Sequence, residues 1–251
     1  MIIGISGRIG SGKNTIGDII QMICLTNEGP AFEQKSFAGK LKQIASLLTG
    51  IDVEKFEDQE FKKVLLGSEW GTVRTNPLNA IPVFGDVQFN ELMSVRELLQ
   101  KLGTDAVRDG LHKDAWVNAL FADYKYEIHR SEVPTRAAGF IDQHVYPNWI
   151  ITDMRFPNEM EAVVERGGLT IRVVRYPKTV EQSRGSKNIE TVLFDPTNQK
   201  HMDLWKGDSS RLHASETALD KAKFDYEIIN DGEIVDLIEK VKQILITEKI
   251  I

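Results

Sequence analysis

A chain of 251 residues with 31 Lys and Arg against 37 Asp and Glu carries a formal charge of −6 and a pI near 5.5. That length suits one large α/β domain better than two independent ones, and the acidic balance gives no footprint for a nucleic-acid polymer, so phosphate recognition is expected to be local and the substrate small. Cys24 is the only cysteine, which excludes an intrachain disulfide or a cysteine-based metal cluster, and with no signal-peptide pattern and no membrane-length apolar run the expectation is a soluble, cytoplasmic protein without a membrane partner.

The first fifteen residues read as strand, phosphate loop and helix. Ile2-Ile3-Gly4-Ile5 breaks into Gly7-Arg8-Ile9-Gly10-Ser11-Gly12-Lys13-Asn14-Thr15. Gly7, four residues, then Gly12-Lys13 is the P-loop spacing: glycines let backbone N–H groups close around phosphate oxygens, and the lysine reaches the outer phosphates. Ile16, Ile19, Ile20 and Ile23 recur on one face of the following helix, so its positive end points into the loop. After the lysine, where Ser or Thr on magnesium is usual, stands Asn14, with the hydroxyl one place later at Thr15. The plain alternative is a glycine-rich turn that holds no nucleotide.

Ala31 to Phe37 reads as a short strand, followed by a helix with Leu41, Ile44, Ala45 and Leu48 on one side and Gly50 at its end. Val53, Phe56, Phe61, Val64 and Leu65 support one or two short helices. Residues 67–90, with Pro77 and Pro82, are expected to be loop and to form a mobile cover. Ser94-Val95-Arg96-Glu97 is a capping box opening a helix striped by Val95, Leu98, Leu99 and Leu102, which Gly103 is expected to stop. Thr104-Asp105 then caps a short helix with Ala106, Val107 and Arg108. Asp114 caps a third, with Trp116, Val117, Leu120, Phe121 and Tyr124 at helical spacing. Three successive helices suggest a pocket wall.

Ser131 to Pro147 reads as irregular, and Trp149-Ile150-Ile151-Thr152-Asp153 as a buried strand ending in an acid. Pro157 opens a helix that Gly167-Gly168 closes, and Leu169 to Val174 is again strand-like, implying a parallel sheet. Pro177 to Leu212 has no sustained period and is expected to be a lid. Tyr226 to Ile229 is the last strand, turning at Asn230-Asp231-Gly232 into a helix with Ile234, Leu237, Ile238, Val241 and Leu245 on its inner face. The expected fold is α/β, a P-loop NTPase fold with a central, mostly parallel sheet flanked by helices. One domain spans 1–251, with a helical region at about 38–125 that suits a pocket wall and a lid-like insertion at about 177–212.

Asp153 ends a buried strand where ligands of open α/β sheets bind, and with the P-loop it reads as an acid of the Walker-B kind, holding magnesium directly or through water. The alternative is a cap for the helix near Pro157. Arg155, Arg172 and Arg175 cluster at strand ends, and Arg184 and Arg211 lie in the expected lid, where arginine forks suit charge stabilisation on a transferred phosphoryl group. Trp116 reads as core by spacing. The five histidines show no metal-ligand spacing, and His213-Ala214-Ser215-Glu216 equally reads as a helix start.

Taken together, the P-loop ending Gly-Lys-Asn-Thr, Phe37-Ala38…Leu41-Lys42, Val95-Arg96…Leu102-Gly103-Thr104-Asp105, Asp114…Trp116, Asp153…Arg155-Phe156-Pro157-Asn158-Glu159 and Asn230-Asp231-Gly232 resemble the deoxynucleoside monophosphate kinases of tailed bacteriophages. The resemblance implies transfer of the γ-phosphoryl group of ATP, with magnesium, to a deoxynucleoside 5′-monophosphate. It implies donor-phosphate contacts at Gly7, Gly10, Ser11, Gly12, Lys13, Asn14 and Thr15, and adenine edged by Asn230, Asp231 and Gly232. Leu41, Lys42, Arg96, Gly103, Thr104, Asp105 and Trp116 would form the acceptor side together with Asp153 and Arg155. The catalytic candidates are Lys13, Asp153, Arg155 and Arg175, and the metal candidates Asn14, Thr15 and Asp153; Asn14 stands where the family usually has an acid. Two other readings stay open: a small-molecule kinase of the dephospho-coenzyme A kinase type, and a P-loop ATPase or switch without an acceptor, although no Asn-Lys-x-Asp stretch for guanine is present. A homodimer also stays open.

Overall fold

The computed structural model describes residues 1–76, 87–130, 142–183, 189–193, 195–206 and 217–251. In chain order come β1 (Ile2–Gly7), α1 (Lys13–Thr26), β2 (Glu33–Lys35) and α2 (Ala38–Thr49), then single 3-10 turns at Val53–Glu57, Phe61–Lys63 and Ser68–Trp70. Next are β3 (Thr72–Asn76), β4 (Val87–Glu91), α3 (Val95–Gln100, extended by a wide π-type stretch Lys101–Asp109), α4 (Ala115–Phe121), β5 (Glu127–Arg130) and β6 (Asp142–Val145). The chain closes with β7 (Trp149–Met154), α5 (Pro157–Val164), β8 (Leu169–Val174), β9 (Thr179–Ser183), β10 (Ile189–Leu193), α6 (Gln199–Lys206), β11 (Tyr226–Ile229) and α7 (Ile234–Thr247). Two compact units divide it: residues 1–37 with 121–251, and residues 38–120.

The first unit is built on a five-stranded sheet in the order β11-β8-β1-β7-β2, with every neighbouring pair parallel. Its central strands read apolar throughout because both faces are covered. Ile3 and Ile5 face α1 and α7, sharing one core with Ile16, Ile20, Ile171, Val241 and Leu245. Side chains alternate across a strand, so Gly4 faces the other way, where a Cβ would stand 3.3 Å from Val163 of α5 and 3.1 Å from Met154. This is the expected α/β architecture, a parallel sheet with helices on both faces. Beyond β7, Trp149 is 2% exposed and takes Phe121 in a stack and Tyr124 edge-on, while the Arg166 guanidinium lies 3.9 Å from the Phe121 ring centre.

In the second unit Ala45, Phe56, Leu66, Val95 and Leu98 form the buried centre, flanked by Ile51, Phe61, Trp70, Leu99 and Leu102. Only Ala45 of the expected α2 face is buried; Ile44 and Leu48 are exposed. Ser94 caps α3 as its sequence requires: the Ser94 hydroxyl accepts from the Glu97 N–H, and the Glu97 carboxylate accepts from the Ser94 N–H at 2.7 Å and hydroxyl at 2.8 Å. Those two bonds, the backbone one first, hold the Glu97 carboxyl below the usual carboxylate range. Stabilisation from a depressed carboxyl pKa is present above its unfolded value and lost as pH falls through the folded one. The stability difference between wild type and Glu97→Ala should therefore shrink in urea titrations run at falling pH, whereas Ser94→Ala should cost about 1 kcal/mol at neutral pH.

Gly103 does not stop this helix. The chain passes through it in the π-type stretch to Asp109, so Thr104 and Asp105 are helical rather than caps of a separate element. Its missing side chain is the reason: a Cβ there would stand 2.9 Å from Leu41 Cδ2, so the glycine serves packing rather than termination. The stretches read as loops also hold strands, in three antiparallel hairpins: β3 with β4, β5 with β6, and β9 with β10. α6 lies in the expected lid. A two-stranded ribbon is set by strand pairing and turn chemistry rather than by an apolar period, which is why the hairpins went unseen. At the end of the chain Ile234 is 54% exposed, so the inner face of α7 begins at Leu237. The remaining parts of the expected cover and lid, with Pro77, Pro82, Arg184, Arg211 and His213 to Glu216, lie outside the described residues.

Candidate active site

β1 is the central strand, and the glycine-rich loop leaves its carboxyl end to enter α1. Gly10 and Gly12 take φ of +75° and +100°, a region that favours glycine. A Cβ on Gly12 would also meet Asn230 Nδ2 at 2.5 Å. Asn230 explains this closeness: its side-chain amide donates to the Ser11 carbonyl at 2.8 Å and its backbone N–H to the Val174 carbonyl at 2.7 Å. The turn after β11 thus buttresses the loop from behind. Asp231 is paired with Lys240 at 3.3 Å, and Gly232 leaves room for Asp236, whose carboxylate caps α7 at the Glu233 N–H.

Lys13 folds back over the loop, donating to the carbonyls of Gly7 at 2.7 Å and Arg8 at 2.9 Å. The Ser11 hydroxyl is buried with no hydrogen-bond partner among the described residues. A buried hydroxyl left this way carries a desolvation cost that a ligand oxygen would remove. Asn14 and Thr15 open α1 with exposed side chains. These features fit a bound polyphosphate: left-handed glycines, an unsatisfied hydroxyl, a lysine folded over the loop and a helix N-terminus.

Next to the loop, the ends of β1, β7 and β8 border a cleft lined by Gly7, Arg8, Arg155, Arg172, Arg175, Leu219 and Asp220, among others. Four guanidiniums face one carboxylate among the described lining residues, so the cleft favours an anion. Arg175 reaches within 3.5 Å of the Gly10 carbonyl. Arg172 is committed to the 219–220 turn, donating to the carbonyls of Leu219 at 3.1 Å and Asp220 at 3.2 Å and to the Asp220 carboxylate at 3.1 Å. Asp153 accepts from the Phe37 N–H at 2.8 Å. It is not the carboxylate that caps α5: Glu159, 3% exposed, accepts there from the N–H groups of Arg155 at 2.7 Å and Phe156 at 3.0 Å.

The first unit therefore gathers Gly7 to Thr15, Arg155, Arg175 and Asn230 around the loop and cleft. Sequence reasoning did not single out Arg8 and Asp220. Arg8 sat at a position where the P-loop pattern accepts any residue, and Asp220 followed a stretch of mixed charge with no periodicity.

The acceptor candidates other than Asp153 and Arg155 belong to the second unit. Lys42 is paired with Glu57 at 2.5 Å, and Arg96 donates to Gln59 at 3.3 Å. Thr104 and Asp105 lie on the widened stretch of the helix, Lys101–Asp109. Trp116 is 7% exposed, and its indole N–H donates to the Gly103 carbonyl at 2.7 Å. That bond ties α4 to the widened turn, a local geometry found often at functional sites. Trp116→Phe keeps the aromatic body but leaves the carbonyl without this donor, and should cost about 1–2 kcal/mol in urea denaturation.

Residues 72–188 match the family model described as deoxynucleotide monophosphate kinase. The chain is 24% identical to the deoxynucleoside-5′-monophosphate kinase of Escherichia phage T5, over 67% of this chain and 74% of that protein. It is 25% identical to the deoxynucleotide monophosphate kinase of Enterobacteria phage T4, over 68% and 60%. An Acanthamoeba polyphaga mimivirus protein is 25% identical over 78% of this chain and 88% of its own. The chain is therefore similar to the deoxynucleotide monophosphate kinases. The matched segment takes in Arg96, Gly103 to Asp105, Trp116, Asp153, Arg155 and Arg175. The phosphate loop lies outside the matched segment and rests on the geometry given above. Among the described residues no helix is long and apolar enough to cross a membrane, and no group of three His, Cys, Asp or Glu is placed to hold a metal ion.

Proposed function

We propose that this protein transfers the γ-phosphoryl group of ATP to the 5′-phosphate of a deoxynucleoside monophosphate. The observation that carries the reading is a glycine loop whose Lys13 donates to the Gly7 and Arg8 carbonyls, opening beside a cleft lined by Arg8, Arg155, Arg172 and Arg175. The acceptor phosphate is already a nucleophile, so no strong general base is needed. The protein must align two mutually repelling anions and spread positive charge over the transferred group.

Lys13 would exchange the Gly7 and Arg8 carbonyls for the outer donor phosphates, and the loop N–H groups and the Ser11 hydroxyl would take the inner ones. Arg155 and Arg175 would meet the charge that moves between donor and acceptor. Magnesium, when bound, would neutralise part of the phosphate charge; the oxygens of Thr15, Asp153 and Asn14 suit a hard ion that takes few protein ligands and keeps phosphate and water oxygens. Lys42, Arg96, Thr104 and Asp105 would hold the acceptor, with Gly103 and Trp116 setting the helix turn that carries them. Asn230 would support the donor side through Ser11, with Asp231 and Gly232 near the adenine. The 177–212 segment would close over the reacting phosphates, keeping out the water that would hydrolyse ATP.

The test is ADP production from ATP with each of the four deoxynucleoside monophosphates and with dephospho-coenzyme A. Stimulation by one or more deoxynucleotides is expected. ATP hydrolysis independent of any acceptor, or stimulation by dephospho-coenzyme A alone, would overturn the reading.

A further inference from the structure

An acid is out of place in a cleft of arginines that is to receive phosphate, because it repels the ligand. Asp220 is the one acid among the described lining residues, and its two partners hold it differently. Arg172 grips the turn with the three hydrogen bonds given above, one to this carboxylate. Arg8 Nη2 stands 3.6 Å from Asp220 Oδ2, beyond the distance of a charge-assisted hydrogen bond. Asp220 is therefore anchored by Arg172, and the Arg8 contact is the looser one. Arg8 belongs to the glycine loop, and its own carbonyl accepts from Lys13.

We infer that Asp220 is a positioning residue that stands in for phosphate at Arg8, holding that guanidinium at the cleft until a ligand phosphate displaces it. The inference rests on the donor-site reading of the loop. Binding is then an exchange: Arg8 leaves Asp220 for the phosphate, while Arg172 keeps Asp220 and the turn in place. Arg8 is oriented in advance, and the retained carboxylate lowers affinity for any anion that cannot compete for Arg8.

Isothermal titration with inorganic tripolyphosphate at low salt tests this on the full chain. Asp220→Asn should bind about fivefold more tightly than wild type, the upper end of what a partly exposed ion pair is worth, while Asp220→Glu should stay near wild type. Arginine side-chain NMR on the wild-type protein gives a readout independent of substitution: on adding tripolyphosphate the Arg8 guanidinium signal should move and the Arg172 signal stay. Unchanged or weaker binding by a folded Asp220→Asn protein, or a static Arg8 signal in a wild type that binds, would overturn the inference alone. Absence of binding by wild type would overturn the donor-site reading and the inference with it.

Discussion

Lys13→Ala should lower turnover of ATP-dependent deoxynucleotide phosphorylation by roughly a thousandfold, the scale of losing one preorganised charge at a transferring phosphoryl group. The fold should not register the change. Lys13 Nζ donates to the carbonyls of Gly7 and Arg8, at 2.7 and 2.9 Å, in a half-buried position, and water can replace an amine at part-buried carbonyls. The thermal midpoint of the variant is therefore expected within about 2 °C of wild type, a small fraction of the shift a core defect brings. Lys13→Arg should not restore activity, since a planar fork cannot replace a point charge seated between two carbonyls. Steady-state kinetics and a thermal melt on the same preparations check both halves. Near-normal turnover in Lys13→Ala would remove the donor site from this loop.

The parts of the molecule that were legible in the sequence are those where burial dictates residue type. β1, β7 and β8 are covered on both faces and read as apolar runs, and the α1 stripe Ile16, Ile19, Ile20 and Ile23 is buried at every position. Local chemistry was equally plain at Ser94, whose capping box needs only four residues. Legibility failed where the deciding contact is distant in sequence. Gly103 looks like a helix stop from its neighbours, and only Leu41 and Trp116 explain why it sits within a helix instead. The hairpins failed for another reason: two-stranded ribbons obey pairing and turn rules rather than hydrophobic alternation. At the site, the P-loop spacing was visible because its constraint is backbone conformation within six residues. The Arg8 and Asp220 contact joins residues far apart along the chain through side chains alone, and no local pattern announces it.

Gly7→Ala should be the most damaging single-methyl change in the loop, because it strikes fold and site together. Gly7 is the last residue of β1 and pairs with Val173 of β8. A Cβ there would stand 2.4 Å from the Val173 carbonyl oxygen and 2.6 Å from the Ser11 hydroxyl. The serine could turn, but only by moving a buried hydroxyl that faces the loop interior. The carbonyl belongs to a strand held between β1 and β11, so it cannot shift without disturbing two ladders of the central sheet. Overpacking against backbone is expected to cost about 3 kcal/mol, lowering the thermal midpoint by roughly 8 °C in a chain of this size. The protection that ATP gives against thermal unfolding should also fall, since the strain lies where the loop must close on phosphate. Gly10→Ala separates crowding from backbone conformation. Gly10 has φ of +75° but nothing among the described residues within 4 Å of the added methyl, so it should lose only the left-handed penalty, about 1 kcal/mol. Equal losses for the two variants in urea denaturation would show that conformation alone, and not the contact with Val173, sets the need for glycine at the end of β1.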